Sequence, residues 1–278
     1  MVTDRIIEQM EKGIIPWQKP WVGGTGEAIS YTSRKPYSIL NQLLLGRPGE
    51  WLTWKQIKDR KGMVKKGAKS GMCVFFQWVE KMVENPETHE MEDCSYPILK
   101  WYHVYHIDDT EGIESKTGKV EANPDIKPVE EAEKIITGYL GREGSLQFHN
   151  ENESASAYYS PSTDEVVVPN IRQFAIVEEY YSTVFHELTH STMHEKRCDR
   201  KAENKLAAFG NNDYSREELV AEIGSAMLCN RAGLDSEKAF KNSVGYIQSW
   251  LKQLRNDNRM IVWAAGRAEK AARYIINE

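Results

Sequence analysis

The spacing of apolar residues divides the chain into helical and extended stretches. Near the N-terminus, TDRIIEQMEK (3–12) places Ile6, Ile7 and Met10 on one side of a short helix with Thr3 as its N-cap. The following GIIPWQKPWVGGTG, with its prolines and glycines, forbids a long regular element and holds Trp17 and Trp21 on a stiff, extended segment. Leu40, Leu43, Leu44 and Leu45 mark the core side of a second helix. Residues 72–82, MCVFFQWVEKM, and 97–107, PILKWYHVYHI, are rich in aromatic and β-branched residues at strand length and are expected to pair. The acidic ENPETHEMEDCSY between them reads as a solvated excursion from the sheet. From Asp108 to Lys127 the chain turns polar and turn-rich, which predicts a domain boundary near residue 125.

Pro128 opens a helix through Leu140, with Ala132, Ile135, Ile136 and Tyr139 at helical spacing and Gly141 as its stop. SLQFHN, SAYYS and EVVVP follow as short strands, the last two joined by the turn PSTD at 161–164. Val177, Tyr181, Val184, Phe185 and Leu188 then form the buried stripe of a helix. Another helix, SREELVAEIGSAML, starts around Ser215, whose pairing with Glu218 three residues later is a capping-box pattern. Helices over 243–255 and 257–276 close the chain, the second capped by Asp257. The pattern predicts an α+β protein of two domains, 1–125 and 126–278.

Composition supports folded cores: 40% of the 278 residues are apolar, with eight Trp and thirteen Tyr. There is no apolar run of the roughly eighteen residues a membrane span needs, and MVTDRIIEQMEKG lacks the architecture of a signal segment. A cytoplasmic protein that contacts no membrane is the expectation. Cys73, Cys94, Cys198 and Cys229 lie far apart in no ligand spacing, so reduced thiols are expected rather than a zinc ribbon or a disulfide framework. The net charge of −5 conceals an asymmetry, since residues 1–81 carry 14 Lys/Arg against 7 Asp/Glu. A polyanion would meet the chain there.

Candidate chemistry centres on His186, Glu187 and His190, in the order H-E-x-x-H within YYSTVFHELTHSTMH. Four residues apart on a helix, the two imidazoles share a face and can reach one tetrahedral metal, while Glu187 can touch a water without occupying a ligand position. Glu218 is expected as third ligand and Glu222, one turn on, as the carboxylate behind a ligating His, although spacing alone leaves the two exchangeable. Tyr214 is a candidate for steadying an oxyanion. His194 would stand about 12 Å along a straight helix from His186, too far to share an ion. Together these imply zinc and a water-activating peptidase.

A second surface is suggested by Trp17, Trp21, Tyr37, Asn41, Trp51 and Thr53 beside Lys55, Lys65, Lys66 and Lys69. Cations screen phosphates and rings stack on unpaired bases, so this mixture suits single-stranded DNA, although on composition alone ordinary core packing accounts better for the tryptophans. GMVKKGAKS resembles a phosphate loop but separates the second Gly from the Lys, which excludes a Walker site.

Several stretches together resemble the ArdC antirestriction family: YYSTVFHELTHSTMH, DYSREELVAEIGSAML, NSVGYIQSWLKQLRNDNRMIVWAAGRAEKAARYI, IIEQMEKGIIPWQKPW and WLTWKQIKDRKGMVKKGAKS. The resemblance covers nearly the whole chain. It implies an N-terminal single-stranded-DNA-binding domain and a C-terminal zincin-like metallopeptidase domain, acting on a protein substrate in a protein that shields DNA entering a restricting host. It also favours the DNA reading of the basic and aromatic residues. The alternative is a protein that occludes DNA and whose metal site is structural or silent. Met193 stands where the family is expected to have Gly, and the acidic insertion at 84–95 looks particular to this chain.

Overall fold

The computed structural model describes residues 2–12, 27–84, 91–116, 128–152, 156–200, 212–234, 244–257 and 259–278, and within these no side chains at 76–84, 91–97, 128, 151–152, 212–215 or 244–249. In chain order the elements are α1 (Val2–Glu11), β1 (Ala28–Ser30), α2 (Ile39–Leu45), β2 (Gly49–Thr53), α3 (Trp54–Asp59), β3 (Met63–Val64), β4 (Gly71–Glu84), β5 (Met91–His106), β6 (Thr110–Glu111), α4 (Pro128–Arg142), β7 (Gln147–Asn152), β8 (Tyr158–Ser160), β9 (Glu165–Pro169), α5 (Val177–Ser191), α6 (Asn212–Ala232), α7 (Val244–Asn256) and α8 (Met260–Ile276). The mixture of helices and sheets is the α+β architecture expected from the sequence.

Two compact units result, and a single cut in the chain does not separate them. One comprises Ala28–Tyr37 and Gly49–Gly118; the other comprises Met1–Glu27, Ser38–Pro48 and Lys119–Glu278. The smaller unit ends at Gly118, and α1 and α2 belong to the larger one. The reason is their apolar faces: Ile6, Met10 and Leu43 share a core with Leu219, Ile223, Leu254, Met260 and Ile261.

The smaller unit is built on a sheet of order β1-β2-β5-β4, in which β1 and β2 are parallel and the other neighbours antiparallel. Thr53 ends β2 and starts α3 at once through a capping box with Gln56. Tyr31, Leu52, Ile57 and Ile107 fill the core beneath. Gly49 has a φ of +109°, and a Cβ there would lie 2.4 Å from His106 Nε2, so glycine is required by both conformation and space. The β4–β5 ladder is longer than expected, pairing through Glu84 and Met91. Most of the acidic excursion is therefore strand, because continuous pairing with the apolar arm outweighs the low strand preference of its Glu and Asp residues.

In the larger unit the order β7-β9-β8 joins a parallel pair to a hairpin. The helix α5 buries Tyr180, Tyr181, Val184, Phe185 and Leu188 against Val166, Val168, Ile136 and Tyr139. Beside it, α6 begins at Asn212, not at Ser215, so Ser215 lies inside the helix and the capping-box reading of Glu218 does not hold. The two helices meet where Gly224 faces Thr189: a Cβ on Gly224 would fall 2.6 Å from Thr189 Cγ2. Ser225 Oγ donates to the Ser182 carbonyl at 2.7 Å in the same buried contact. Past α5, the Arg197 guanidinium is wholly buried and donates to Glu143 (2.9 Å), to both oxygens of Asp164 (2.8 Å each) and to the Ser191 carbonyl (2.9 Å). That node fixes the turn that leaves the helix.

Among the described residues, no helix is long and apolar enough to cross a membrane. Cys73, Cys198 and Cys229 are buried free thiols.

Candidate metal centre

The helical stripe of α5 sets the rotation of its other residues. With Tyr181, Val184, Phe185 and Leu188 turned inward, His186 and His190 share the edge that faces α6. Their Nε2 atoms are 3.1 Å apart. The approach of α6 at Gly224 brings Glu218 to the same point, its carboxylate 3.5 Å from His186 Nε2 and 3.4 Å from His190 Nε2. One ligand atom from each of the three lies within 4.8 Å of the others. Glu187, one residue along α5, is buried beside the pair.

A further carboxylate stands behind the histidines. Glu217, 5% exposed, places Oε1 3.6 Å from His190 Nδ1, the ring nitrogen away from Glu218. Glu217 is itself held by the buried Arg200, which donates through Nε and Nη2 to its two oxygens at 3.1 and 2.6 Å. Arg200 in turn donates to Thr192 Oγ1 at 2.7 Å and to the Thr189 carbonyl at 3.0 Å, both in the last turn of α5 and its exit. The sequence reading did not single out Glu217 or Arg200. The only local signal was the consecutive pair Glu217–Glu218; Arg200 stood in a polar connection with nothing to mark it as buried. Glu222 sits one turn beyond Glu218 on α6 and is half-buried.

The electrostatics favour a cation. Burial alone would push His190 down, but Glu217 and Glu218, on its two ring nitrogens, outweigh it and push it up to about 10. Burial likewise works against a charge on Glu218, yet its bonds with His186 and His190 hold the carboxyl well below the usual carboxylate range. Burial of Glu217 is outweighed in the same way by His190 and Arg200. Positive charge is thus stabilised at the point where the imidazole nitrogens and Glu218 converge. Two imidazoles and a carboxylate are a donor set for a divalent metal, so the residues present fit such an ion.

Tyr214 lies in the first turn of α6, and its side chain is outside those described. His194 follows α5 in a turn, where its Nδ1 accepts from the Lys196 amide at 3.2 Å.

The expected DNA-contacting residues divide. Lys55, Lys65, Lys66 and Lys69 are exposed, with Lys65 Nζ donating to the Asp108 carbonyl at 2.7 Å. Tyr37 is half-buried and bonded to Tyr102, and burial raises its hydroxyl above the usual range. Two expectations are corrected. Trp51, on the inner strand β2, is 4% exposed and packs edge-on to His106, with centroids 5.2 Å apart; Asn41 is buried on the inward side of α2. Neither presents an open face. Thr53 is engaged in capping α3. Trp17 and Trp21 lie outside the described residues. Among the described residues of this unit, the open rings are instead Trp54, Phe75 and Trp101, 49%, 44% and 54% exposed.

Comparison with known proteins adds an independent line. Residues 1–105 match the model of the N-terminal domain of anti-restriction factor ArdC, and residues 140–267 match that of a zincin-like metallopeptidase. The crystal structure of the metal-free antirestriction ArdC protein from plasmid R388 is similar over 99% of this chain and 94% of that one, with a TM-score of 0.74 and 32% identity. The Mn(II)-bound structure of the R388 protein is similar at a TM-score of 0.74 and 30% identity, over 99% of this chain and 96% of that one. A DNA primase TraC of Escherichia coli is 30% identical over 99% of this chain, which spans only 26% of TraC. The protein y4eC of Sinorhizobium fredii is 29% identical, over 98% of this chain and 89% of its own length.

Proposed function

Because the chain belongs to the ArdC antirestriction family, we propose that it binds single-stranded DNA entering a restricting cell and acts there through a zinc-dependent peptidase site. The observation that carries this reading is the convergence of His186, His190 and Glu218 on one point, with Glu187 buried beside them. His186, His190 and Glu218 would hold the ion. A bound zinc ion supplies Lewis acidity and makes a water acidic enough to ionise near neutral pH.

The chain's own residues do the rest. Glu187 takes the proton from the water that attacks a peptide carbonyl and returns it to the departing amine, which makes it base and then acid in one turnover. Glu217, clamped by Arg200, keeps the His190 ring from rotating. Glu222 is assigned a supporting role one turn along α6. Tyr214 is assigned to the oxyanion on its place in the first turn of that helix. The DNA reading rests on the family and on the positive balance of residues 1–81. The cytoplasm is the compartment in which such a protein would meet both DNA and restriction enzymes.

The test is conjugative transfer of a restriction-sensitive plasmid into a restricting host, with wild type or Glu187→Gln supplied. Glu187→Gln should keep its metal, measured by mass spectrometry, and lose protection. A metal-loaded variant that protects as well as wild type would show that the protein works by occluding DNA.

A further inference from the structure

The sheet of the smaller unit carries a row of rings in which Tyr105 packs partly on the core of Tyr31, Leu52, Ile57 and Ile107, while Trp54 and Trp101 are left open. Alternation along β5 puts Trp101, His103 and Tyr105 on one face. Trp54, the first residue of α3, continues the row, its ring 6.0 Å from Tyr105. The Trp101 and His103 rings are 5.3 Å apart. Trp54 and Trp101 are about half exposed, and Tyr105 is partly so. Rings of this size are normally buried, and a row of them left open on one face marks a binding surface.

Positive charge lies along the same row. Lys58 Nζ sits 5.6 Å from the Trp54 ring centroid. His103 Nδ1 is bonded to Ser70 Oγ at 3.0 Å, and the exposed Lys69 precedes Ser70 where β4 begins, beside the stretch of β5 that holds His103 and Tyr105. Open aromatic faces flanked by cations suit a polyanion whose flat groups are unpaired, because a duplex keeps its bases stacked on each other and shows only its backbone and groove edges.

We propose that this face, with Trp54, Tyr105, His103 and Trp101 as stacking rings and Lys58 and Lys69 as phosphate contacts, is where single-stranded nucleic acid binds. The inference rests on the single-stranded-DNA reading above and moves it from the buried Trp51 to the open rings. Stacking reads no base edge, so binding here is tolerant of sequence and selects unpaired over paired strands.

The experiment measures binding of a labelled oligothymidylate and of a matched duplex to the full chain, following tryptophan quenching and anisotropy across a salt series. Trp54→Ala and Trp101→Ala should each weaken single-strand binding about tenfold, the size of one stacked base. Lys58→Ala should lower the salt slope by about one phosphate contact. Phe75→Ala removes a ring that is 44% exposed on the opposite face of the sheet and should bind as wild type. Circular dichroism melting of each variant confirms that it is folded. If wild type binds single strands and Trp54→Ala and Trp101→Ala bind equally well, or if Phe75→Ala alone weakens binding, the assignment to this face is overturned. If wild type shows no affinity for single strands, the DNA reading itself fails.

Discussion

Glu217 and His190 stand in contact on the far side of the imidazole from Glu218, with Oε1 3.6 Å from Nδ1. A ring that presents Nε2 to a metal carries its proton on Nδ1, and a carboxylate there fixes both the tautomer and the angle of the ring. Arg200 makes this contact rigid, since its fork is satisfied by both oxygens of Glu217 and by the end of α5.

Replacing Glu217 by Gln should therefore weaken metal binding while the helices stay folded. Losses of about 10–100-fold in affinity are typical when such a partner is removed. The measurement is competition with a chromogenic chelator, with cobalt absorption reporting the ligand geometry. Metal affinity equal to wild type would mean that Glu217 serves only to neutralise Arg200.

Gly224 is where the same site depends on packing. In most helix interiors Gly→Ala stabilises by about 1 kcal/mol. Here the new methyl meets Thr189 Cγ2 at 2.6 Å, and overpacking of this kind costs about 1–3 kcal/mol. Gly224→Ala should be destabilising in urea titration and should also bind metal more weakly, since α6 carries Glu218. Adding Thr189→Ala removes the obstructing methyl and should recover part of both losses; strict additivity of the two substitutions would exclude the steric account.

Acid should act on the Arg197 node. Burial works against the charge of Asp164, but hydrogen bonds from Arg197, Tyr159 and Ser145 outweigh it and lower the carboxyl from 3.8 to about 2. Between those values the unfolded chain binds the extra proton, so stability rises with pH. The contribution, about 2 kcal/mol, is complete above pH about 4 and lost as pH falls to about 2. Asp164→Asn should be less stable than wild type at pH 7, and the gap should close across that window. A constant gap from pH 7 to pH 2 in chemical denaturation would assign the loss to packing instead.

The parts of this site that the sequence shows are those whose geometry a single helix determines. His186 and His190 are neighbours on any α-helix, whatever surrounds them. Whether Glu217, Glu218 or Glu222 reaches them depends on how far α6 is rotated and how near it comes, which the contacts of Gly224 with Thr189 and of Ser225 with Ser182 settle, and none of these four residues carries a metal-ligating group. The same limit explains Trp51 and Trp54. In WLTW the first ring belongs to an inner strand and the second to a helix, because Thr53 ends one and caps the other. Hydropathy treats the two rings alike, and only the change of direction at Thr53 buries one and opens the other. In the β4–β5 arms both faces carry apolar or aromatic residues and each leaves a ring open, Trp101 on one and Phe75 on the other, so period-two alternation does not show which rings stay exposed.

The shared core of α1, α2 and the last two helices bears on how the protein is made. Ile6 and Met10 share a core with Met260 and Ile261, which are translated well after them. The sheet of the smaller unit can close while synthesis continues, whereas the body holding His186, His190 and Glu218 waits for α7 and α8. A nascent chain would therefore close the sheet that carries Trp54 and Trp101 before it brought His186, His190 and Glu218 together.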